Sequence, residues 1–354
     1  MNMFEHEQTP TPTTGTKLPE LRLLPPLVDG GNPVLLIDNS TLDLYTCPRE
    51  GEYAHIRNWV ANNEKAALNF GAACHEGWRW RYTVCGSAKL DEPAQLAQNE
   101  IIQRHFDAKP QPENDHRQPS LALECMARYN DLYQQEQWEI VKNPKTGKRA
   151  VEQSVMCFLA TMPIVALDGH TSNLVDVYYT GRIDLIISDC HGLWCMDHKT
   201  TFQFGESFSS TMSMTDQMPG YAWAWQQMTG ELLTGYIINA IRVRRPTPAA
   251  QLAEDFFRIG GKDTDFQRLP FYLNQDRIDE WKENAIARVE TILHHHAIGN
   301  FPMNRTQCVR KWGKCQFFDV CSAQRGSRLD ILEQTQAYIQ NDWSPLNKPE
   351  EPTV

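Results

Sequence analysis

The apolar stretch GRIDLIISDCHGLWCMDHKTT, residues 181 to 201, carries Asp184, Asp197 and Lys199 within its two apolar runs. The stretch reads as two strands, and buried strands seldom keep charges that are not paired, hydrogen-bonded or bound to a metal. If Asp189 to Gly192 form a tight turn, counting back from it sets Asp184 opposite Asp197, with their Cα atoms ~4.5–5.5 Å apart. Lys199, two residues on, then points to the same face. A register slip of one residue would break this arrangement, so it rests on the turn.

Two carboxylates ~5 Å apart repel by roughly 3 kcal/mol at an effective dielectric near 20. The pair therefore needs a cation or a shared proton. Two readings are open on the hairpin alone. Lys199 could neutralise one aspartate in a buried salt bridge. Alternatively, the oxygen donors could hold a hard divalent ion, Mg²⁺ or Mn²⁺, that polarises a phosphoryl oxygen while the lysine assists the nucleophile.

The surrounding elements must position this hairpin. Helical patterns cover the region from Asn39 to Trp59, with Ser40 or Thr41 as N-cap, and residues 63–82 and 120–135. Residues 107–119 read as a polar loop. Strand patterns at 138–141 and 149–160 flank KNPKTGK, which has hairpin-turn chemistry. They are followed by strands at 176–189 and 193–201, a helix over 215–228 that ends at Gly230, and a strand over 233–245. Such an order gives an α/β core with helices as flanking layers.

The chain has 354 residues, 41% hydrophobic and 22% charged, with a formal charge of −10. That charge argues against a protein that simply coats nucleic acid, although KTGKR (145–149) and IRVRR (241–245) could grip phosphates locally. There is no apolar run of the ~18 residues needed to span a bilayer. The N-terminus has neither a basic nor an apolar signal region, so the expectation is a cytoplasmic protein without membrane contact. Its ten cysteines are then expected as thiols or metal ligands.

The G-R-I-D and D-H-K-T motifs on the two arms of the hairpin resemble the PD-(D/E)XK nuclease superfamily, in particular its RecB-like branch. The resemblance runs over residues 40 to 322. It implies a restriction-endonuclease-like core: a mixed central sheet flanked by helices in αβββαβ order. It also implies Asp184 and Asp197 as metal ligands, Lys199 as the catalytic lysine and the His198 carbonyl as a further ligand. His75, in FGAACHEGWRW, matches the G-x-x-x-H helix whose histidine binds metal in that branch. Gln217 and Tyr221 match its Q-x-x-x-Y element and share one helix face. Glu152 stands where many relatives carry an acidic residue and is expected to be auxiliary.

Six cysteines, at positions 74, 85, 125, 157, 190 and 195, lie in or beside apolar elements and read as small core residues. The other four, Cys47, Cys308, Cys315 and Cys321, are widely separated and contain no C-x-x-C pair, which argues against a zinc ribbon and suits an iron–sulfur cluster. Their arrangement resembles the staple of AddB-type and CRISPR-associated RecB-like nucleases, in the spacing of phage-type members. The resemblance implies a structural [4Fe–4S] cluster. HHHA (294–297) reads as a polar helix end, and WRWRY (78–82) as rings at least half of which belong to the core.

The sequence thus predicts a Pro/Thr-rich tail over 1–37, a nuclease domain over 38–325 that includes the cluster cysteines, and a C-terminal helix and tail over 326–354. The expected activity is a Mg²⁺- or Mn²⁺-dependent deoxyribonuclease acting on DNA in recombination, repair or phage DNA processing. An exonuclease heads the expectation, with an endonuclease or a non-catalytic DNA-end-binding subunit as alternatives. Partners in this setting would be DNA and a helicase, recombinase or single-strand-annealing protein.

Overall fold

In the computed structural model the described residues are 21–62, 66–165, 172–245, 265–310 and 313–341. A seven-stranded mixed sheet forms the centre. Its strands are β1 (Val34–Ile37), β3 (Glu139–Ile140), β4 (Val151–Val165), β5 (Ser172–Asp189), β6 (Gly192–Thr201), β7 (Gly235–Arg242) and β8 (Phe266–Tyr272). A separate β2 (Trp59–Ala61) pairs with β11 (Tyr338–Gln340). The mixed sheet flanked by helices is the fold class read from the sequence.

Strand β5 organises the sheet. One edge of it carries β4 over almost its whole length. The other edge pairs in parallel with β1 at Asp176 to Tyr179, and in antiparallel fashion with β6 from Leu185 to Asp189. Between those partners the edge from Thr180 to Asp184 has no strand beside it among the described residues. That fork is where the candidate site lies.

The turn is the one the sequence suggested. Asp189 pairs with Gly192, and the register continues unshifted to Leu185 and Met196. Gly192 has φ 125°, a conformation that side chains resist. Asp189 also closes the turn through its side chain, accepting from the His191 N–H at 2.8 Å and the Trp194 indole at 3.0 Å.

Helices cover both faces. Helices α3 (Ala66–Val84), α4 (Glu92–Ala108) and α5 (Pro119–Leu132) form one layer, with Phe70, Trp78, Tyr82, Ile102 and Tyr129 packed on Leu185, Ile187 and Met196. On the other face, α1 (Asn39–Leu44), α7 (Gln217–Thr229) and α8 (Gln275–Ala297) pack Leu42, Met218, Trp225 and Trp281 on Val177, Ile183 and Ile238. Strand β6 passes to the parallel β7 through α6 (Glu206–Ser213) and α7. Helix α7 ends at Gly230, whose φ of 79° and N–H to the Gln226 carbonyl make a left-handed cap.

Several elements differ from expectation. Residues 34–37, predicted as tail, form β1, because VLLI buries Val34, Leu35 and Ile37 where it pairs with β5. Residues 1–20 of that tail lie outside the described residues. The cap of α1 is Asp38, which accepts from the Thr41 N–H at 2.6 Å, so neither Ser40 nor Thr41 caps it. Helix α4 and strand β8 were not anticipated. The C-terminal segment is docked rather than free: α10 (Arg328–Gln334) buries Leu332 beside Tyr53 and Phe317, while β11 holds β2. No helix among the described residues is long and apolar enough to cross a membrane.

Candidate active site

At the fork, β4 and β5 change which face their side chains present. Residues two apart on a strand share a face, yet Ile183 packs in the α7 layer and Leu185 in the α3 layer. On β4, Val155 packs in the α7 layer, whereas Val151 packs toward α3. Both inversions fall at one level, where Glu152 and Asp184 lie between the pairs Val151–Leu185 and Gln153–Ile183. Glu152 has φ 48°, a left-handed value uncommon for a non-glycine residue and costly enough that it must be imposed by its surroundings. The twist turns both carboxylates toward α3. His75 meets them there, and ligand atoms of His75, Glu152 and Asp184 all lie within 4.8 Å of one another.

Asp184 is engaged on two sides. Its Oδ2 accepts the His198 backbone N–H at 2.8 Å and lies 3.5 Å from His75 Nδ1. The first contact ties the two strands together just beyond their last ladder pair. Glu152 is partly buried, and desolvation followed by the neighbouring Asp184 charge pushes its carboxyl well above the usual range. The Arg182 Nε is 3.9 Å from its carboxylate.

Asp197 and Lys199 occupy the α7 side. The Lys199 ammonium lies 3.0 Å from Asp197 Oδ1 and 2.8 Å from Oδ2. Asp197 is 2% exposed, and its Oδ2 lacks a hydrogen bond of good direction. Burial raises the Asp197 pKa, Lys199 opposes that shift, and Asp184 reinforces it. Burial works against the Lys199 charge, but Asp197 and Asp184 outweigh it and hold the lysine above its ordinary value. Lys199 also donates to Gln217 Oε1 at 3.2 Å, and Gln217 Nε2 donates to the Tyr221 hydroxyl at 3.0 Å. Tyr221 packs against Gly181, where an added Cβ would come within 2.8 Å of its ring. The glycine lets α7 approach β5 this closely.

His198 points the other way, into the α3 layer. Its ring stacks on Trp78 at 4.5 Å and lies parallel to Tyr82 at 5.6 Å. Asn239 Nδ2 donates to its Nδ1 at 2.7 Å, which leaves the imidazole proton on Nε2. Burial, followed by the His75 and Arg268 charges, holds its pKa well below the usual histidine value. The side chain is thus a neutral anchor for the backbone between Asp197 and Lys199. Asn239 and Arg182 are site residues that the sequence reading passed over; the former sits opposite His198 on a buried strand, where an amide stands out among apolar neighbours.

The predicted residues therefore fall into two joined groups. His75, Glu152 and Asp184 form the compact donor set, while Asp197, Lys199, Gln217 and Tyr221 form a hydrogen-bonded line beside it. Glu152, expected only as auxiliary, is inside the donor set, and Asp197 is paired with the lysine instead. The donors fit a hard divalent cation. Two partly buried carboxylates crowd each other and one imidazole completes the set.

The basic clusters engage protein groups. Arg242 and Arg244 pair with Asp265 at 2.7 and 2.6 Å, and Arg149 donates to the Thr83 and Val84 carbonyls. Trp78, Trp80 and Tyr82 are all core. His296 is buried and accepts the Leu21 N–H, a structural contact at the end of α8.

The four remaining cysteines lie in one corner, and all are free thiols. Cys47 precedes the short helix α2 (Pro48–Gly51), and its Sγ accepts from the Asn304 N–H at 3.4 Å. Cys308 Sγ contacts the Asn304 carbonyl at 3.9 Å, and Cys315 N–H bonds the Cys308 carbonyl at 2.9 Å. Burial pushes the Cys321 thiol up to about 11, and Cys47 and Cys308 are among the groups that influence it. These contacts bring Cys47 near a segment 257 residues away along the chain, but among the described residues the four sulfurs are not gathered as closely as the His75, Glu152 and Asp184 donors.

Comparison with known proteins gives a match between residues 40–322 and the family model of the PD-(D/E)XK nuclease superfamily. Among solved structures, a putative exonuclease from Eubacterium rectale is similar at 11% identity with a TM-score of 0.39, covering 74% of this chain and 82% of its own. No curated protein matches.

Proposed function

This chain belongs to the PD-(D/E)XK nuclease superfamily, and from that premise we propose that it is a Mg²⁺- or Mn²⁺-dependent deoxyribonuclease of the RecB-like kind. Membership implies phosphodiester hydrolysis with a divalent metal. The observation that carries the finer reading is the convergence of His75, Glu152 and Asp184 beside the Asp197–Lys199 pair at the fork of β5.

His75, Glu152 and Asp184 would hold the ion, with Asp197 and the His198 carbonyl as further donors close by. A bound ion of this type supplies charge stabilisation at the phosphoryl oxygens and a more acidic water. Lys199 stays protonated and is fixed at two points, by Asp197 and Gln217. Its remaining N–H can therefore be offered to the attacking water or to a phosphate oxygen without reorganisation. Tyr221 accepts from Gln217, which leaves its own hydroxyl hydrogen free for the substrate; burial keeps that hydroxyl protonated. His198 holds the intervening backbone in place.

The same reading assigns Cys47, Cys308, Cys315 and Cys321 to a [4Fe–4S] cluster that clamps the two ends of the nuclease domain. Support comes from the shared corner, the buried Cys47 beside the half-buried Cys308, Cys315 and Cys321, and the adjoining small core of Tyr53, Phe317, Val320 and Leu332. An exonuclease working with a recombination or phage DNA-processing partner is the role proposed. Cleavage of end-labelled linear DNA and of a covalently closed circle of the same sequence, each with Mn²⁺ or Mg²⁺, tests it. The proposal expects loss of the linear substrate alone. Cutting of the circle would make the protein an endonuclease, and failure to cut either would make it an end-binding subunit.

A further inference from the structure

A cavity of about 580 Å³ opens directly beyond Gln217 and Tyr221. Its size falls in the range of small-molecule sites, roughly 300–1,000 Å³. The wall is built from the unpaired edge of β5 (Thr180, Gly181 and Arg182), the first turn of α1 (Asn39 and Ser40) and the α6–α7 junction. Gln217 and Tyr221 belong both to this cavity and to the hydrogen-bonded line from Lys199. A group held at Lys199 is therefore continuous with whatever fills the cavity.

The lining does not suit a phosphate. Asp38, Asp43 and Asp216 contribute three carboxylates, against one cation, Arg182, among the described residues of the wall. The nearby Arg288 is held at 2.7 Å by Asp216. Excess acceptors repel an anion and favour a neutral group that carries N–H donors. Met212 and Met214 add soft, adaptable apolar surface of the type that packs against a flat ring. One acceptor is also without a partner. Asn39 gives its Nδ2 to the Tyr179 hydroxyl at 2.7 Å, while its Oδ1 is buried with no hydrogen bond. A buried acceptor left in this state costs free energy that a ligand N–H would recover.

We infer that this cavity receives the nucleobase next to the scissile phosphate, unstacked from its strand, and that Asn39 and the carboxylates read its exocyclic amine. The inference rests on the nuclease reading for the placement of the phosphate at Lys199. Adenine and cytosine offer such an amine, whereas thymine presents carbonyl oxygens in its place. Strand ends carrying thymine are accordingly held less well than ends carrying adenine or cytosine. The base is read outside the duplex, as in enzymes that extrude a nucleotide into a pocket.

Binding is measured with single-stranded oligonucleotides labelled at one end, in Ca²⁺ without Mg²⁺ or Mn²⁺. The unlabelled terminal nucleotide is dA, dC, dT or an abasic residue, and both polarities are used. The wild type is expected to bind dA and dC ends on the order of tenfold more tightly than abasic ends at one polarity, with dT between them. Ser40→Trp, at an exposed position on the rim, should erase the difference while leaving the thermal midpoint unchanged. Asn39→Ala should remove the preference for dA and dC over dT. Equal binding of abasic and dA ends by the wild type at both polarities overturns the inference. So does a Ser40→Trp protein that keeps the difference. Base-dependent binding without any cleavage in Mn²⁺ would sustain the pocket and sink the nuclease reading. Cleavage without base dependence would do the reverse.

Discussion

At the scale of single residues, the account turns on Glu152 and Lys199. Glu152 holds a left-handed backbone conformation, a partly buried carboxylate and a place beside Asp184 and His75. Glu152→Gln keeps the shape and removes the charge. It is expected to lower metal-dependent cleavage by about a hundredfold or more, the several kcal/mol attributed to a bound ion. The same variant should bind Mn²⁺ more weakly in a titration, with an unchanged circular dichroism spectrum. Lys199→Met should cost a similar factor in turnover but leave Mn²⁺ binding in place, because Lys199 donates hydrogen bonds and ligates nothing. A Lys199→Met protein that loses the metal as well would place the lysine in the donor set's support.

His198 supplies a pH prediction. Its pKa is depressed in the folded protein, so the unfolded chain takes up the proton first as pH falls. The stability tied to the neutral imidazole is complete above the ordinary histidine pKa and is lost as pH drops below it. Thermal midpoints at pH 7.5 and 5.5 should fall further for the wild type than for His198→Gln. The charges of Asp184, Asp197 and Lys199 were legible in the sequence, conspicuous in an apolar hairpin, but the expected face-to-face carboxylate pair is not formed. The ladder ends at Leu185 and Met196, Asp184 turns toward α3, and Asp197 stays with Lys199 on the α7 side. The central place of Glu152 was not legible, since it depends on a local reversal of side-chain alternation that no strand pattern announces.

At the scale of elements, close approach between α7 and β5 builds the site. Gly181 admits the Tyr221 ring, and Gly220 admits the Tyr179 hydroxyl and the Trp281 ring, each within 3 Å of where a Cβ would stand. Gly181→Ala should destabilise the fold by about 1–3 kcal/mol through overpacking. It should also disturb Tyr221 and hence the hydrogen bond to Gln217. Denaturant midpoints would report the first effect, and cleavage rate corrected for folded fraction the second; an unchanged rate would show that Tyr221 is dispensable. The main strands and α7 were readable because they are strongly apolar and their turns carry Gly and Asp. Helix α4 buries only Gln98, Ile102 and Phe106, one residue per turn, a stripe too thin to stand out. Its start was nevertheless marked, since Asp91 caps it through the Ala94 N–H and Pro93 follows. Strand β8 carries Pro270 and lies at the sheet edge, the position where a strand tolerates proline.

At the scale of the whole molecule, the ends of the chain close on each other. Strand β2 pairs with β11, Glu50 binds Arg310, and Cys47 meets Asn304. Pairings this distant in sequence leave no local pattern, which is why only the cysteines betrayed the corner. If an iron–sulfur cluster fastens it, protein purified without air should contain iron and absorb in the visible. Cys47→Ser should lose both and melt at a lower temperature. A Cys47→Ser protein with full iron content would remove Cys47 from the ligand set.

The central claim is that His75, Glu152 and Asp184 form a metal site that drives phosphodiester cleavage. The most direct test is the rate of degradation of end-labelled linear DNA as a function of Mn²⁺ concentration, for the wild type and Asp184→Asn purified side by side. The account predicts a saturable, metal-dependent rate in the wild type and a loss of at least about a hundredfold in the variant at every concentration. Equal rates in the two proteins would contradict it, because the cleavage would then arise elsewhere.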